Sequence, residues 1–391
     1  MTRPGSGAAT GDSGATYDLA FAGAGLAAIS LAVRLTDLPS PPRIILVDPR
    51  SEFPHDRTWC HWQLHQTPFD SAITHRWHNW LVRTSSVGAG APRRDVRTPY
   101  VRIPSDQLYK IALEKLSASP HVTLLHGVSV DTIEHHSART TLHLSDGQQI
   151  TAAWTFDSRP PEKTDSPWRQ IFRGLELHSP EANIDTQTVT LMDFQSAGPE
   201  GIRFYYVLPL DPHTALIEDT WLAPSGKSPT FNEEEIISYA RKNLSATPWR
   251  VIHREEGNLP MGFLPSSPSP VKIKNRIIPW GTAAGAVRAS SGYAFSRIQR
   301  TSEAMARYWS QHHRPDPASS HQSKLLAWMD RVFLRAMTRH PERVPQYFTR
   351  LFDRVPPEVL LRFLESEPRL TDILQVMRAL PSAPFLAAAF R

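Results

Sequence analysis

The sequence has almost no cysteine: Cys60 stands alone among 391 residues. No internal disulfide and no thiolate metal cluster can form, which fits a reducing, cytoplasmic setting. No run of 18 apolar residues occurs, so no transmembrane helix is expected. The first 16 residues, MTRPGSGAATGDSGAT, lack the apolar core of a signal peptide and read as a disordered tail. There is no basic stripe with interleaved stacking aromatics and no nucleic-acid motif, so nucleic acid is not an expected partner. The 17 His are scattered, and His61 and His65, although four apart, have no third ligand nearby, so no metal site is expected. The net charge of +5 therefore needs another explanation. From His321 to the end there are 11 Lys and Arg against 7 Asp and Glu, so the excess sits in the last fifth of the chain.

Apolar bulk is present: 40% of residues, with 11 Trp and 16 Phe, are enough for a large core, and 35 Pro imply many stiff connections. YDLAFA (17–22), GAGLAA (23–28), a helical ISLAVRLTDL and the buried run RIILVD (43–48) follow one another. That order is strand, Gly-rich turn, helix and strand closing on an acid, the unit that opens a dinucleotide-binding fold. Gly23 makes the tight turn. Gly25 lets backbone approach a pyrophosphate at the helix N-terminus. Ala28 replaces the third Gly and still permits close packing. Asp48 can accept from a ribose hydroxyl. SEFPHDRTWCHW (51–62) reads as a loop near the inner part of the dinucleotide, with Arg57, Trp59, His61 and Trp62. YVRIPSDQLYKIALEKL (100–116) reads as a strand, a cap at Ser105 and a helix.

Residues 170–260 are mostly strand-like, an antiparallel sheet that serves as a substrate domain. RIIPWGTAAGAVRASSGYAFSRIQRTSEAMARYW (276–309) returns to strand, Gly-rich turn and helix, which supplies a second contact for a long dinucleotide. The division is a tail (1–16), a nucleotide-binding domain in two parts (17–160 and 271–309), the substrate domain (161–270) and a helical region (310–391). Within the substrate domain, ALIEDT places Glu218 and Asp219 at the end of an apolar strand with no basic neighbour in sequence. Either both are a solvated strand end or one enters a buried pocket, since alternate strand residues point to opposite faces. Arg203, Tyr205 and Tyr206, on a neighbouring strand, are candidates to line the same pocket. In the tail, Leu325, Leu326, Trp328, Met329, Val332, Phe333 and Met337 recur at helical spacing, and Lys324, Arg331, Arg335 and Arg339 can face anionic headgroups. A helical cap with solvated basic residues fits the same pattern.

DLAFAGAGLAA with ILVDP, RTWCHW, TFDSRP, QIFRGLELH, LMDFQ, FYYVLPL with ALIEDT, LPMG and GTAAGAVRASSGYAFSRIQR, in this order, resemble the bacterial lycopene cyclases. The likeness runs from about residue 17 to 391. It implies an α/β fold of the two-domain flavin monooxygenase type: a Rossmann-type FAD-binding domain, an antiparallel β substrate domain and membrane-contacting C-terminal helices. It further implies reduced FAD, NAD(P)H as electron source without net redox change, lycopene or a related linear carotenoid as substrate, and peripheral attachment to a membrane surface. In that picture Gly23, Gly25, Ala28 and Asp48 hold the ADP half of FAD. Gly281, Thr282, Ala283, Ala284 and Gly285 lie against the ribityl and pyrophosphate, with Gly292 and Tyr293 near the flavin ring. The family's catalytic acid maps onto Glu218. Two departures stand out: Ala28 for the third Gly, and Cys60-His61 where the family has a Ser-Phe-like pair. A flavin hydroxylase, a prenyl-chain reductase or a non-catalytic nucleotide-binding membrane protein would share the N-terminal motifs.

Overall fold

A computed structural model describes residues 16–84, 93, 96–160, 166–244, 248–262, 276–316 and 323–390. Most of the N-terminal tail and residues 161–165, 263–275 and 317–322 lie outside these residues, and with them the expected boundaries at 160/161 and 270/271.

The first sheet is built on the strand Thr16–Ala22, which lies parallel to Ile44–Asp48 on one side and to Gln149–Asp157 on the other. Val122–His126 extends it beyond Ile44–Asp48, and Ile277–Pro279 pairs in parallel with the end of Gln149–Asp157. Parallel strands need crossovers, and the helix Leu26–Thr36 is one. Its residues Ala28, Ile29, Leu31 and Ala32 are fully buried. It therefore packs between the sheet and the long helix Phe295–His312, where Gln299 donates to Ser30 at 2.9 Å. Chain segments far apart in sequence thus form one layer.

The second sheet has six strands in the order Arg250–Met261, Trp168–His178, Thr214–Pro224, Gly201–Asp211, Thr188–Gly198 and Asn79–Thr84. All neighbours are antiparallel except the last pair, which is parallel. Its two faces are distinct. On one face Leu175, Val207, Ala215 and Ile217 pack with Ile236 and Ala240 of the helix Glu233–Leu244. On the other, Phe204, Leu208, Leu216 and Leu222 join Trp62, Tyr100 and the C-terminal helices in the largest core. A small sheet of Thr58–Trp62, Tyr100–Pro104 and His75–Trp77 lies on this second face.

Three local expectations change. Residues 51–62 are not all loop, because Thr58–Trp62 is a strand paired in register with Tyr100–Pro104. Ser105 does not cap the following helix; its hydroxyl accepts the backbone N–H of Asp56 at 3.0 Å and pins the preceding loop. The 170–260 region also contains the helix Glu233–Leu244, amphipathic with Ile236, Tyr239 and Ala240 inward.

Candidate active site

The two Gly-rich turns meet. Gly23 has φ +94° and donates to Val47 O at 2.7 Å. Gly25 caps the helix Leu26–Thr36 without any side-chain hydrogen bond, and a Cβ built on it would meet nothing within 4 Å. The first turn of that helix therefore presents free backbone N–H groups to open space, a place suited to phosphate. Ala28 is fully buried behind it. From the other direction Gly281, at φ +64°, comes so close that a Cβ would lie 2.7 Å from that of Ala27. Trp280 Nε1 donates to Ala27 O at 2.9 Å. Thr282, Ala283 and Ala284 continue as a single 3-10 turn, half-buried, ending at Gly285 with φ +73° and open space beside it. This short turn takes the place of the helix N-terminus expected there.

Asp48 is buried at the end of its strand. Its Oδ2 accepts Ala24 N–H at 2.6 Å and Arg50 Nη2 at 3.0 Å; its Oδ1 accepts Arg50 N and Nε at 3.0 and 2.8 Å. Burial raises its pKa, but the Arg50 and Ala24 hydrogen bonds outweigh that and hold it below the ordinary value. All four acceptor sites are used, so a ribose hydroxyl at Asp48 must share with or displace Arg50.

The Glu218 and Asp219 side chains part company. Asp219 is fully buried on the face of the helix Glu233–Leu244, where Arg203 Nε and Nη2 grip its two oxygens at 2.9 and 2.8 Å. Arg203 also binds Tyr205 OH at 3.1 Å and Glu235. Arg203 and Tyr205 therefore line the Asp219 face and not the Glu218 pocket. Tyr206, directly opposite Glu218, does share its face.

Around Glu218 four residues stand in a row across the second sheet: Glu255, Gly174, Glu218 and Tyr206. Gly174 has no side chain to separate its neighbours. A Cβ there would lie 3.0 Å from Glu255 Cγ and 3.1 Å from Glu218 Cγ. The two carboxyls meet over this gap. Glu218 is walled in by protein yet keeps some open area, so it borders interior space. Burial first, then the charge of Glu255 and a hydrogen bond with it, push the Glu218 pKa well above the ordinary value. Thr58 Oγ1 donates to Glu255 Oε2 at 2.8 Å. Two residues along the strand of Gly174, Glu176 pairs with Arg102.

The hydroxyls continue the row. Cys60, its thiol pushed up to about 12 by burial, hydrogen-bonds Tyr206. Tyr206 OH donates to Tyr100 OH at 3.1 Å, and Tyr100 in turn bonds Tyr293. The Tyr293 ring lies tilted against Trp62, with centroids 5.5 Å apart and planes at 52°. Gly292, at φ +73°, abuts Gln170 Oε1, where a Cβ would lie 2.8 Å away. Gln170 is four residues from Gly174 on its strand, about 13 Å along the same face. The loop carrying Gly292 and Tyr293 thus reaches the Glu218 face, and it is locked in place by Arg288. That buried guanidinium binds Asp330 at 3.1 Å and the carbonyls of Phe363 and Leu364.

Three residues at this site carried no sequence signal. Glu255 sits in HREEGN without a motif, Gly174 is a lone strand Gly, and Glu365 lies in the tail. Glu365 is buried, accepts Trp62 N–H at 3.2 Å, and has its pKa raised by burial. His61 stacks on Phe295 at 4.2 Å, and burial lowers its pKa to about 3, so it is a neutral wall. His55, His253 and Glu255 bring potential ligand atoms within 4.8 Å of one another. The two imidazoles are stacked, 4.2 Å apart and 5° from parallel, so their in-plane lone pairs do not converge on one ion.

In the tail, the helix Lys324–Arg339 buries Leu326, Val332 and Met337 and leaves Leu325 and Trp328 exposed. Arg335 and Arg339 donate to the carbonyls of Ala388 and Ala387 and hold the last helix, while both residues remain exposed. Further exposed apolar residues lie beyond the helix Lys324–Arg339: Leu370, Leu374 and Met377 share one helix face, and Leu386 and Phe390 follow. An apolar cavity of about 200 Å³ opens between Trp328, Met377 and Leu386 and runs to Ser290 and Ser291, beside Gly292. No helix among the described residues is long and apolar enough to cross a membrane.

A family model described as "Lycopene cyclase protein" matches residues 18–390. The chain is 25% identical over 395 residues to a lycopene beta-cyclase of Pantoea ananas, covering 95% of this chain and 97% of that one. Among solved structures it resembles a p-nitrophenol 4-monooxygenase of Pseudomonas putida: TM-score 0.61, 13% identity, 90% and 99% of the two chains. It also resembles the flavin-dependent monooxygenase PieE, solved with FAD and substrate: TM-score 0.57, 13% identity, 96% and 72%. The α/β two-domain fold of the flavin monooxygenases, with a C-terminal helical region, is therefore the fold of this chain.

Proposed function

Because the chain belongs to the lycopene cyclase family, we propose that it is a lycopene β-cyclase, an isomerase that closes the ψ ends of lycopene into β-ionone rings by proton transfer from Glu218. The observation that carries this reading is the carboxyl meeting over Gly174: a buried acid whose neutral form is favoured, bordering interior space. A neutral carboxyl in a low-dielectric pocket is what protonation of an alkene requires.

The residues fit FAD. The open cradle at Gly25 and the free N–H groups of its helix suit the pyrophosphate, with Gly23 and Ala28 shaping the turn and Asp48 with Arg50 beside the ribose. Gly281, Thr282, Ala283, Ala284 and Gly285 would line the middle of the cofactor, and Gly292 and Tyr293 its ring. When bound and reduced by NAD(P)H, FAD supplies negative charge beside the reacting chain end.

Glu218 gives its proton to the terminal C=C, leaving a tertiary cation and a carboxylate. The inner double bond attacks, the ring closes, and a neighbouring C–H proton returns to carboxylate. Atoms and charge balance with no net oxidation. Tyr206, Tyr100, Tyr293 and Trp62 supply π-faces that favour a cation over a dry path. The apolar cavity in the tail, rimmed by exposed Trp328, Met377 and Leu386, supports entry of a lipid-soluble polyene from a bilayer that the protein touches peripherally.

Purified holoenzyme, reduced FAD and linear lycopene without oxygen test the reading. Cyclised product, with no nicotinamide consumed per ring, is expected. Oxygen-dependent turnover identifies a hydroxylase, stoichiometric nicotinamide loss a reductase, and no reaction a binding protein.

A further inference from the structure

We propose that Glu255 is the positioning residue that keeps Glu218 protonated, and that Gly174 is the gap through which the two carboxyls meet. The proposal rests on Glu218 being the proton donor. Strand register brings the pair together: Glu255 and Glu218 lie on opposite sides of Gly174, on three adjacent antiparallel strands. Any side chain at 174 would press on both, with Leu216 Cδ1 a further 3.2 Å contact. Glu255 is buried, and Thr58 fixes its Oε2. Its Oε1 is buried without a donor, while Glu218 stands within hydrogen-bonding reach. Two carboxylates offer only acceptors, so the contact becomes a hydrogen bond only when one of them carries a proton. Among the described residues no Lys or Arg is paired with either carboxyl: Arg102, on the small sheet, is bonded to Glu176. The other groups facing it are the Tyr206 hydroxyl, the Cys60 thiol and the stacked imidazoles of His55 and His253, and burial lowers the His55 pKa.

This arrangement gives Glu255 two effects. It holds the proton on Glu218 before the reaction, because ionising both groups sets like charges side by side. After Glu218 has given its proton away, the same repulsion favours return of a proton from the ring cation. One proton leaves, one comes back, and the carboxyl is reset for the second end of the substrate. Glu255 itself need not touch the polyene.

The test uses flavin-loaded enzyme and the pH dependence of kcat and KM for Glu255→Gln, Gly174→Ala and Glu218→Gln. Activity requires protonated Glu218, so it falls as pH rises through that group's pKa. In Glu255→Gln an amide N–H faces Glu218 and favours its carboxylate. The alkaline limb of kcat should move down by at least about one pH unit, a tenfold loss of kcat above it, with KM and flavin content unchanged. Gly174→Ala keeps both carboxyls but forces them apart, and should move the limb the same way if Glu255→Gln folds poorly. A merely structural Glu255 would lower flavin content or stability and leave the limb in place. A wild-type limb in both variants overturns the proposal. Activity in Glu218→Gln overturns instead the assignment of the donor on which it rests.

Discussion

Replacing Glu218 by Gln should kill the enzyme and make it more stable, and the second effect should depend on pH. The perturbation is small: shape and burial stay, and only the ability to donate or hold a proton changes. A positioned general acid contributes about 10²–10⁴-fold, and a Gln amide cannot protonate an alkene, so a loss of about 10²–10⁴-fold is expected. For stability, burial and Glu255 raise the folded-state pKa of Glu218 above its unfolded value. Between those two values the folded protein binds more protons than the unfolded chain, so stability from this group is full at low pH and is lost as pH rises. Gln abolishes that loss. The variant should match the wild type near pH 5 and exceed it near pH 8.5 by about 1–3 kcal/mol, the usual penalty of an unsatisfied buried polar group. In a chain of 391 residues that is an increase in Tm of about 1–4 °C. Product analysis by chromatography and thermal melts of the oxidised holoenzyme at several pH values measure both. Substantial cyclisation by Glu218→Gln, or a Tm difference that does not grow with pH, refutes the reasoning.

Gly25→Val should fold but lose its yellow cofactor, because the side chain fills the open cradle at the helix N-terminus; flavin absorbance after gel filtration checks this. Asp219→Asn should behave in the opposite way to Glu218→Gln, costing about 1–3 kcal/mol in urea melts through loss of the Arg203 grip while leaving kcat within a few-fold. For membrane contact, Leu374→Glu with Met377→Glu should abolish flotation with anionic liposomes, since both side chains are half exposed on one helix face. Reversing Arg335 and Arg339 would unseat the last helix and is a poorer test.

The parts of the fold legible in the sequence are those fixed locally. Gly23, Gly25 and the IILVD run specify turn, helix and strand within thirty residues, and Gly281 repeats the turn. What escaped is set by pairing between distant segments. Thr58–Trp62 looks like a loop because Pro54 and mixed polar residues precede it; it is a strand because Tyr100–Pro104 offers a partner. Glu255 and Gly174 have no local signature, since their roles depend on a register across three strands. The misplacement of Arg203 and Tyr205 was avoidable. Both have the opposite parity to Tyr206, so alternation alone forbids all three from lining one pocket.

The same alternation explains how the adjacent acids Glu218 and Asp219 acquire different chemistry. In sequence they are equivalent, two carboxylates after Ala215-Leu216-Ile217. The sheet turns one to each face, and each face holds a different partner. Asp219 meets a guanidinium in a bidentate grip, which opposes the upward push that burial gives its pKa. Glu218 meets another carboxyl across a glycine, a geometry that admits only one charge. Exchanging the faces by a one-residue slip would give the inner acid an arginine and remove its reason to stay neutral. The proposed proton donor is thus made by strand register more than by residue type. A flavin fold built for redox chemistry needs little else to host an acid-driven cyclisation: a glycine where two strands would otherwise present side chains, and a second carboxyl beyond it.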